Sequence, residues 1–261
     1  MLDDLTIWVR QRLVEIKDDV RELMRRQVRK LVELVLTDVD LMGRIREATT
    51  TAAFEERHLR DAAGFKSRDA LHRAMLKQIA HKDGLYLEFG VYKGDSINRL
   101  AELAPDVTWY GFDSFEGLPE AWTLGAKKGA FSIDGKLPPV RANVRLTKGF
   151  FEKTLPDFVP QHPGATIALL HIDCDLYSAT KTILENVASM LAPGTIVIFD
   201  ELINYHGWEE GEYKALMEFT TERKLPFEYV AYNRTGSQVA VRILDAAGTR
   251  APAHHIPAMA G

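Results

Sequence analysis

The sequence predicts an α/β fold: a doubly wound, mostly parallel sheet of seven strands with a C-terminal antiparallel hairpin, preceded by an N-terminal helical appendage. Three observations predict it. Short apolar or β-branched runs at 85–89, 107–112, 144–147, 166–172 and 195–199 alternate with helix-patterned segments at about 95–103, 178–191 and 211–223. The run from Leu85 meets Gly90 shortly before the segment 95–103, which reads as strand, turn and helix. The chain then offers Phe227 to Tyr232, a turn at Asn233-Arg234-Thr235-Gly236, and Gln238 to Leu244, which reads as a hairpin on the sheet edge.

Taken in order, residues 2–48 read as one long or once-broken helix. Val9, Leu13, Ile16, Val20, Met24, Val28, Leu31 and Val35 recur at three- and four-residue steps and form an apolar stripe. Between Arg10 and Lys30 the other faces are basic, with Arg10, Arg12, Lys17, Arg21, Arg25, Arg26, Arg29 and Lys30 against Glu15, Asp18, Asp19 and Glu22. Such a stripe predicts packing on another helix, as a homo-oligomer contact or on its own domain, ahead of a peripheral membrane contact. Residues 49–66 read as a polar connector with a short helix. Ser67 caps a helix running to about His81, and Asp83-Gly84 ends it. Pro193-Gly194 stops the helix before the strand 195–199. The expected organisation is therefore an appendage at 1–66, the sheet-bearing domain at 67–244 and a disordered Ala-, Gly- and Pro-rich tail at 245–261.

Composition sets limits on function. With 261 residues, 46% hydrophobic and 27% charged, the chain suits one α/β domain with an appendage. A formal net charge of −4 gives no general footprint for nucleic acid. A lone Cys174 excludes an internal disulfide and any multi-cysteine metal site, and fits a reducing compartment. The start Met1-Leu2-Asp3-Asp4 lacks a basic n-region followed by an apolar h-region, and no run approaches membrane-spanning length, so a cytoplasmic location is expected.

The turn after the first long strand is the first candidate site. Gly90 and Gly94 let the backbone turn sharply and approach a ligand closely. Tyr92 stands where the middle glycine of a dinucleotide fingerprint belongs, and Glu88 would repel a phosphate. Glu88 suits instead the ribose or the amino group of a cationic cofactor. The run 107–112 ends in Asp113, 25 residues after Glu88, where such folds hold a ribose diol.

The second candidate site is acidic. The strand 166–172 delivers Asp173 and, two residues on, Asp175; the strand 195–199 ends in Asp200-Glu201. In an open parallel sheet, ligands bind beyond the carboxyl ends of the strands, which is where all these acids belong. Any one of them alone reads as a helix cap or a solvated group. Together they repel one another unless a cation sits among them, and Mg²⁺ or another hard divalent cation with oxygen ligands is the simplest answer. His171 reads as structural. His206, in the loop after Glu201, is a candidate catalytic or substrate contact, and Trp122, Phe131, Trp208, Lys127 and Lys128 lie in long loops suited to covering a substrate.

Five motifs carry a resemblance: Glu88-Phe89-Gly90-Val91-Tyr92-Lys93-Gly94, Gly111 to Pro119, Lys148-Gly149-Phe150, His171 to Ser178, and Phe199-Asp200-Glu201. Across about 84–243 the chain resembles the macrocin-type sugar O-methyltransferases of antibiotic biosynthesis, within the Rossmann-like class I S-adenosylmethionine-dependent enzymes. The resemblance implies S-adenosyl-L-methionine held by Glu88, Gly90, Gly94 and Asp113, with Phe89, Ser96 and Ser114 beside them and Gly149 and Phe150 at the adenine end. It implies Mg²⁺ on Asp173, Asp200 and Glu201, and Asp175 as general base. Some members carry two aspartates where this chain has Asp200-Glu201. The implied substrate is a small-molecule hydroxyl acceptor, a sugar or glycosylated compound. Two rival readings remain: a catechol or other vicinal-diol methyltransferase, and an NAD or nucleotide-sugar enzyme, against which the incomplete glycine motif argues. A non-catalytic scaffold assembled through the N-terminal helix is a third.

Overall fold

A computed structural model describes residues 2–249, with side chains from Arg12 onward. The chain divides into two compact units, Met1–Arg46 and Glu47–Gly261. The first holds helix α1 (Leu2–Thr37) and the beginning of α2 (Val39–His58). The single helix read at 2–48 is thus broken once, at Asp38, whose Oδ1 accepts from the backbone N–H of Leu41 (2.9 Å) as a cap does. Along α1 the stripe residues from Leu13 to Leu31 are exposed, between exposed i,i+3 and i,i+4 ion pairs such as Arg12–Glu15 (2.7 Å) and Arg26–Glu22 (3.2 Å). The side chains of Val9 and Arg10 lie outside the described residues, as do residues 250–261 of the expected tail.

The second unit is built on one sheet. Strands β1 (Ala63–Phe65), β2 (Leu85–Phe89), β3 (Trp109–Asp113), β4 (Val144–Lys148), β5 (Ile167–Ile172), β6 (Ile196–Phe199), β7 (Phe227–Asn233) and β8 (Val239–Ile243) run in the order β1-β7-β8-β6-β5-β2-β3-β4. The sheet has eight strands where the sequence predicts seven. The extra strand, β1, is three residues of Ala-Gly-Phe, too short to leave a period-two pattern, and it exists because the edge of β7 accepts it in parallel register. With it, residues 47–66, assigned from sequence to the appendage, belong to the sheet-bearing unit: Phe54 and Leu59 are buried, and the Phe54 ring packs edge-on to Trp208 at 5.2 Å. Only β8 runs antiparallel to its neighbours β6 and β7, as the hairpin signal predicts.

Helices cover both faces, because the strands are apolar on both sides. Val197 and Phe199 of β6 join one buried cluster with α5 (Phe151–Phe158), α6 (Tyr177–Val187) and α7 (Glu212–Glu222). Ile196 and Ile198 join the other, with α3 (Arg68–Leu76) and α4 (Asp95–Leu103). Ser67 caps α3 as the sequence predicts, its side chain accepting from the Ala70 N–H, but the helix stops at Leu76. Helix α5 has no counterpart in the sequence reading; Pro156 falls inside it.

The topology puts β2 and β5 side by side while their connections leave in opposite directions, a switch point where such folds open a cleft. The ladder continues past the strand ends: Gly90 N–H donates to Phe112 O (2.9 Å), Asp173 N–H to Phe89 O (2.8 Å) and Asp200 N–H to Ile172 O (2.8 Å). Residues distant in sequence are therefore held level at one edge. Gly90 is essential to that alignment. Its φ is +91°, and a Cβ there would stand 1.7 Å from the Asp173 carbonyl oxygen, a backbone atom. Gly90→Ala is expected to lower stability by at least about 2 kcal/mol, from left-handed strain plus the collision, read as a fall in midpoint on chemical denaturation.

Candidate functional site

A cavity of about 650 Å³ opens beyond β2, β3, β5 and β6, and the turn at Gly90 lines it. The turn is held by one carboxylate. Asp113 Oδ2 accepts from the N–H groups of Val91 (2.8 Å) and Tyr92 (2.7 Å), and Oδ1 from that of Phe115 (2.7 Å). These bonds keep Tyr92 at φ 48° and Phe115 at φ 58°, conformations bulky residues rarely adopt. With two acceptor sites on each oxygen, one on Oδ1 remains for a ligand facing the cavity that Asp113 lines. Gly90, Ser96, Ser114 and Phe150 also line it.

Several predicted cofactor residues lie elsewhere. Glu88 is fully buried in the sheet, where Oε1 accepts from Ser96 Oγ (2.8 Å) and Oε2 contacts His171 Nδ1 (3.0 Å). It supports the turn from behind, since the second-to-last residue of β2 points into the layer under α3 and α4. Phe89 is core, stacked on Phe112 with centroids 4.7 Å apart. Gly94 caps α4 at φ 87°, and Gly149 precedes Phe150 at φ 146°, neither of them in the wall. His206 is likewise carried away from the cavity by its loop; its Nδ1 lies 2.8 Å from Glu47 Oε1.

The acids do converge. Asp173, Asp175, Asp200 and Glu201 all line the cavity, and ligand oxygens of Asp173, Asp200 and Glu201 lie within 4.8 Å of one another. The donor set fits a hard divalent ion: all three ligands are oxygens, and Glu201 Oε2 is buried without a hydrogen-bond partner. Asp175 enters at φ 65°, in a tight turn where Leu176 N–H donates to Cys174 O (2.7 Å). Such a conformation is tolerated by aspartate and turns this carboxylate off the strand line.

Electrostatics separate these acids. Burial and the nearby Asp200 push Asp173 up to about 7, and the same two causes push Asp175 up to about 6. Burial also raises Glu201, helped by Asp200 and Glu212. Asp200 goes the other way: although burial opposes it, His171 and Arg68 hold it well below the usual carboxylate range. His171 itself, against the cost of burial, is raised to about 9 by Asp200 and Glu88, an imidazolium between two carboxylates. His72, whose ring meets His171 edge-on at 5.0 Å, is lowered to about 3 by burial and by His171.

The sequence reading missed Arg68, which sits at the start of α3 and also lines the cavity. Its Nη2 donates to Asp173 Oδ2, and its Nε lies 2.8 Å from Asp200 Oδ1. The second contact is ionic, for neither atom has an aligned hydrogen bond. A signal existed: a cation in the first turn of a helix opposes the helix dipole, so an arginine directly after a Ser cap is locally misplaced.

Residues 87–202 match the family described as a methyltransferase domain. The fold is that of the class I methyltransferases. Among solved structures this domain resembles the calicheamicin methyltransferase CalS11, at 27% identity and TM-score 0.56, over 67% of this chain and 77% of that one. It shares its fold with the O-methyltransferase NovP, at 22% identity and TM-score 0.52, over 68% and 79%. Over 146 residues it is 34% identical to the Streptomyces olivaceus protein named 8-demethyl-8-(2,3-dimethoxy-alpha-L-rhamnosyl)-tetracenomycin-C 4'-O-methyltransferase. That match takes in 45% of this chain and 52% of the relative, so the chain spans about half the length of the curated relative it matches. The resemblance to sugar O-methyltransferases read from the motifs is borne out. Among the described residues no helix is long and apolar enough to cross a membrane.

The reassignment of Glu88 is testable. Glu88→Ala leaves His171 and Ser96 without their buried partner and is expected to cost about 3–5 kcal/mol of stability. A variant as stable as the wild type that fails to bind cofactor would return Glu88 to the ligand set.

Proposed function

We propose that this protein is an S-adenosylmethionine-dependent O-methyltransferase that methylates a hydroxyl of a sugar or glycosylated small molecule with the help of Mg²⁺. The observation that carries the reading is one cavity lined both by Gly90 and Asp113 and by Asp173, Asp175, Asp200 and Glu201. The sugar acceptor is supported by the Streptomyces olivaceus relative, named for methylation of a rhamnosyl group.

The roles follow from the residues. Asp113, with its remaining acceptor site, holds a ribose hydroxyl, and Phe150 and Phe151 supply an apolar wall that excludes water. The acids favour a cationic cofactor and disfavour a pyrophosphate. Asp173, Asp200 and Glu201 would hold the divalent ion. When bound, the ion supplies Lewis acidity to an acceptor hydroxyl, and the cofactor supplies the methyl group of its sulfonium. Asp175 takes the hydroxyl proton; it is partly buried in the same cavity and is not among the carboxylates clustered around the ion position. Trp122 and Phe131, from the long connection between β3 and β4, also line the cavity and would contact the acceptor.

The N-terminal helix joins this proposal as a self-association element, on the strength of its exposed stripe. In sedimentation the full chain is expected to run as an oligomer, and a variant with Val20 and Leu31 both changed to Glu as a monomer. Retention of the full chain on anionic vesicles, lost in high salt, would assign the stripe to a membrane surface instead.

Methyl-labelled cofactor offered with nucleotide-activated deoxysugars, glycosylated aromatics and catechols tests the activity. Label is expected on a sugar hydroxyl, abolished by chelator and restored by Mg²⁺. Label on catechols alone would favour the vicinal-diol reading. Asp175→Asn is expected to lower the rate roughly 10²–10⁴-fold with metal affinity nearly intact. Full transfer in excess chelator would remove the metal from the reaction.

A further inference from the structure

Arg68 ties the first residue of α3 to Asp173, a carboxylate 105 positions along the chain, and to the still more distant Asp200. Its guanidinium lies between Asp173 and Asp200 and satisfies only part of the cluster. Glu201 Oε2 stays buried and unpartnered, and the contact to Asp200 Oδ1 is out of line for a hydrogen bond. Asp200 Oδ2 accepts from Gln238 Nε2 at 3.0 Å, whereas Oδ1 is buried without a hydrogen bond, which makes Oδ1 the oxygen Asp200 offers first to a cation. That same atom is approached by Arg68 Nε at 2.8 Å and by His171 Nε2 at 3.5 Å. The Arg68 side chain is 36% exposed along the cavity wall, so it has solvent into which it can withdraw.

We propose that Arg68 is the resident counter-cation of the acidic site, holding Asp173 and Asp200 together in the absence of a divalent ion and surrendering Asp200 Oδ1 when the ion binds. The inference rests on the metal reading given above. Its physical basis is that one cationic side chain cannot match three carboxylates, whereas a divalent ion reaches all three at once. Guanidinium and ion cannot share Oδ1 without bringing like charges within a few ångströms, so one excludes the other. With neither present, the acids would repel and the cluster would open. Arg68 therefore keeps the site assembled and weakens its affinity for metal, since the ion must displace a partner already in place.

Titration of the full-length protein with Mn²⁺ alone, followed by the paramagnetic signal of the free ion, tests this. Arg68→Gln is expected to bind Mn²⁺ at least about tenfold more tightly than the wild type, whereas Arg68→Lys, which keeps the charge, stays within roughly threefold. The metal-free melting temperature of Arg68→Gln should fall below that of the wild type and rise further on adding Mn²⁺. Binding by the wild type that Arg68→Gln leaves equal or weaker overturns the proposal and makes Arg68 a scaffold for the aspartates. Absence of Mn²⁺ binding by both proteins overturns the metal reading itself. If Arg68→Gln does not fold, a structure of the wild type with Mn²⁺ decides: Arg68 withdrawn from Asp200 supports the exchange, and Arg68 still bridging both aspartates beside a bound ion overturns it.

Discussion

Charge balance at one edge of the sheet is the constraint on which the rest of this molecule depends. Glu88, Asp173, Asp175, Asp200, Glu201 and Glu212 are gathered at or just behind the carboxyl ends of β2, β5 and β6, where burial makes each unpaired charge expensive. Two cationic groups offset them. His171 bridges Glu88 and Asp200 within the sheet, and Arg68 reaches Asp173 and Asp200 from α3. Among the described residues these six acids outnumber the two cations that touch them, and burial answers part of the imbalance by raising Glu201 and Glu212 toward the neutral form. The remainder is the charge that the proposed cationic cofactor and divalent ion would answer.

Backbone strain is also found at the same edge. Tyr92, Phe115 and Asp175 all carry positive φ, and all lie just beyond the ends of β2, β3 and β5. Strain of this kind costs about 1–3 kcal/mol per residue and persists where the surroundings over-determine it. Here the Asp113 carboxylate and the Gly90–Asp173 backbone approach provide that determination. The carboxylate that braces the turn also lines the cavity, so in the proposed function one side chain would serve both binding and preorganisation.

Local patterns made much of this legible. Alternating apolar runs and helix signals located seven strands, the hairpin among them, and the acids at strand ends marked the edge of the sheet at which the cavity opens. What stayed hidden had identifiable causes. Strand β1 is too short to carry a pattern and is formed by the edge it joins. Helix α5 contains Pro156, whose missing N–H and fixed ring argue against a helix when the segment is read alone; packing of Leu155 and Phe158 into the core overrides that local preference. Glu88 and His206 were read from chain proximity to a motif, but a strand alternates its side chains between faces and a loop carries its residues wherever packing directs.

The sequence by itself determined the class of fold, the glycine turn, Asp113 at the end of β3, and the convergence of Asp173, Asp175, Asp200 and Glu201, because each is set by local periodicity together with the rule that parallel strands share an end. Only the tertiary structure decided which groups face the cavity and which support it. It placed Glu88 behind the turn against His171, sent His206 to Glu47, and brought Arg68 among the acids. These outcomes depend on the face a side chain takes in the sheet and on contacts between residues far apart in the chain, and neither quantity is encoded in the spacing of neighbouring residues.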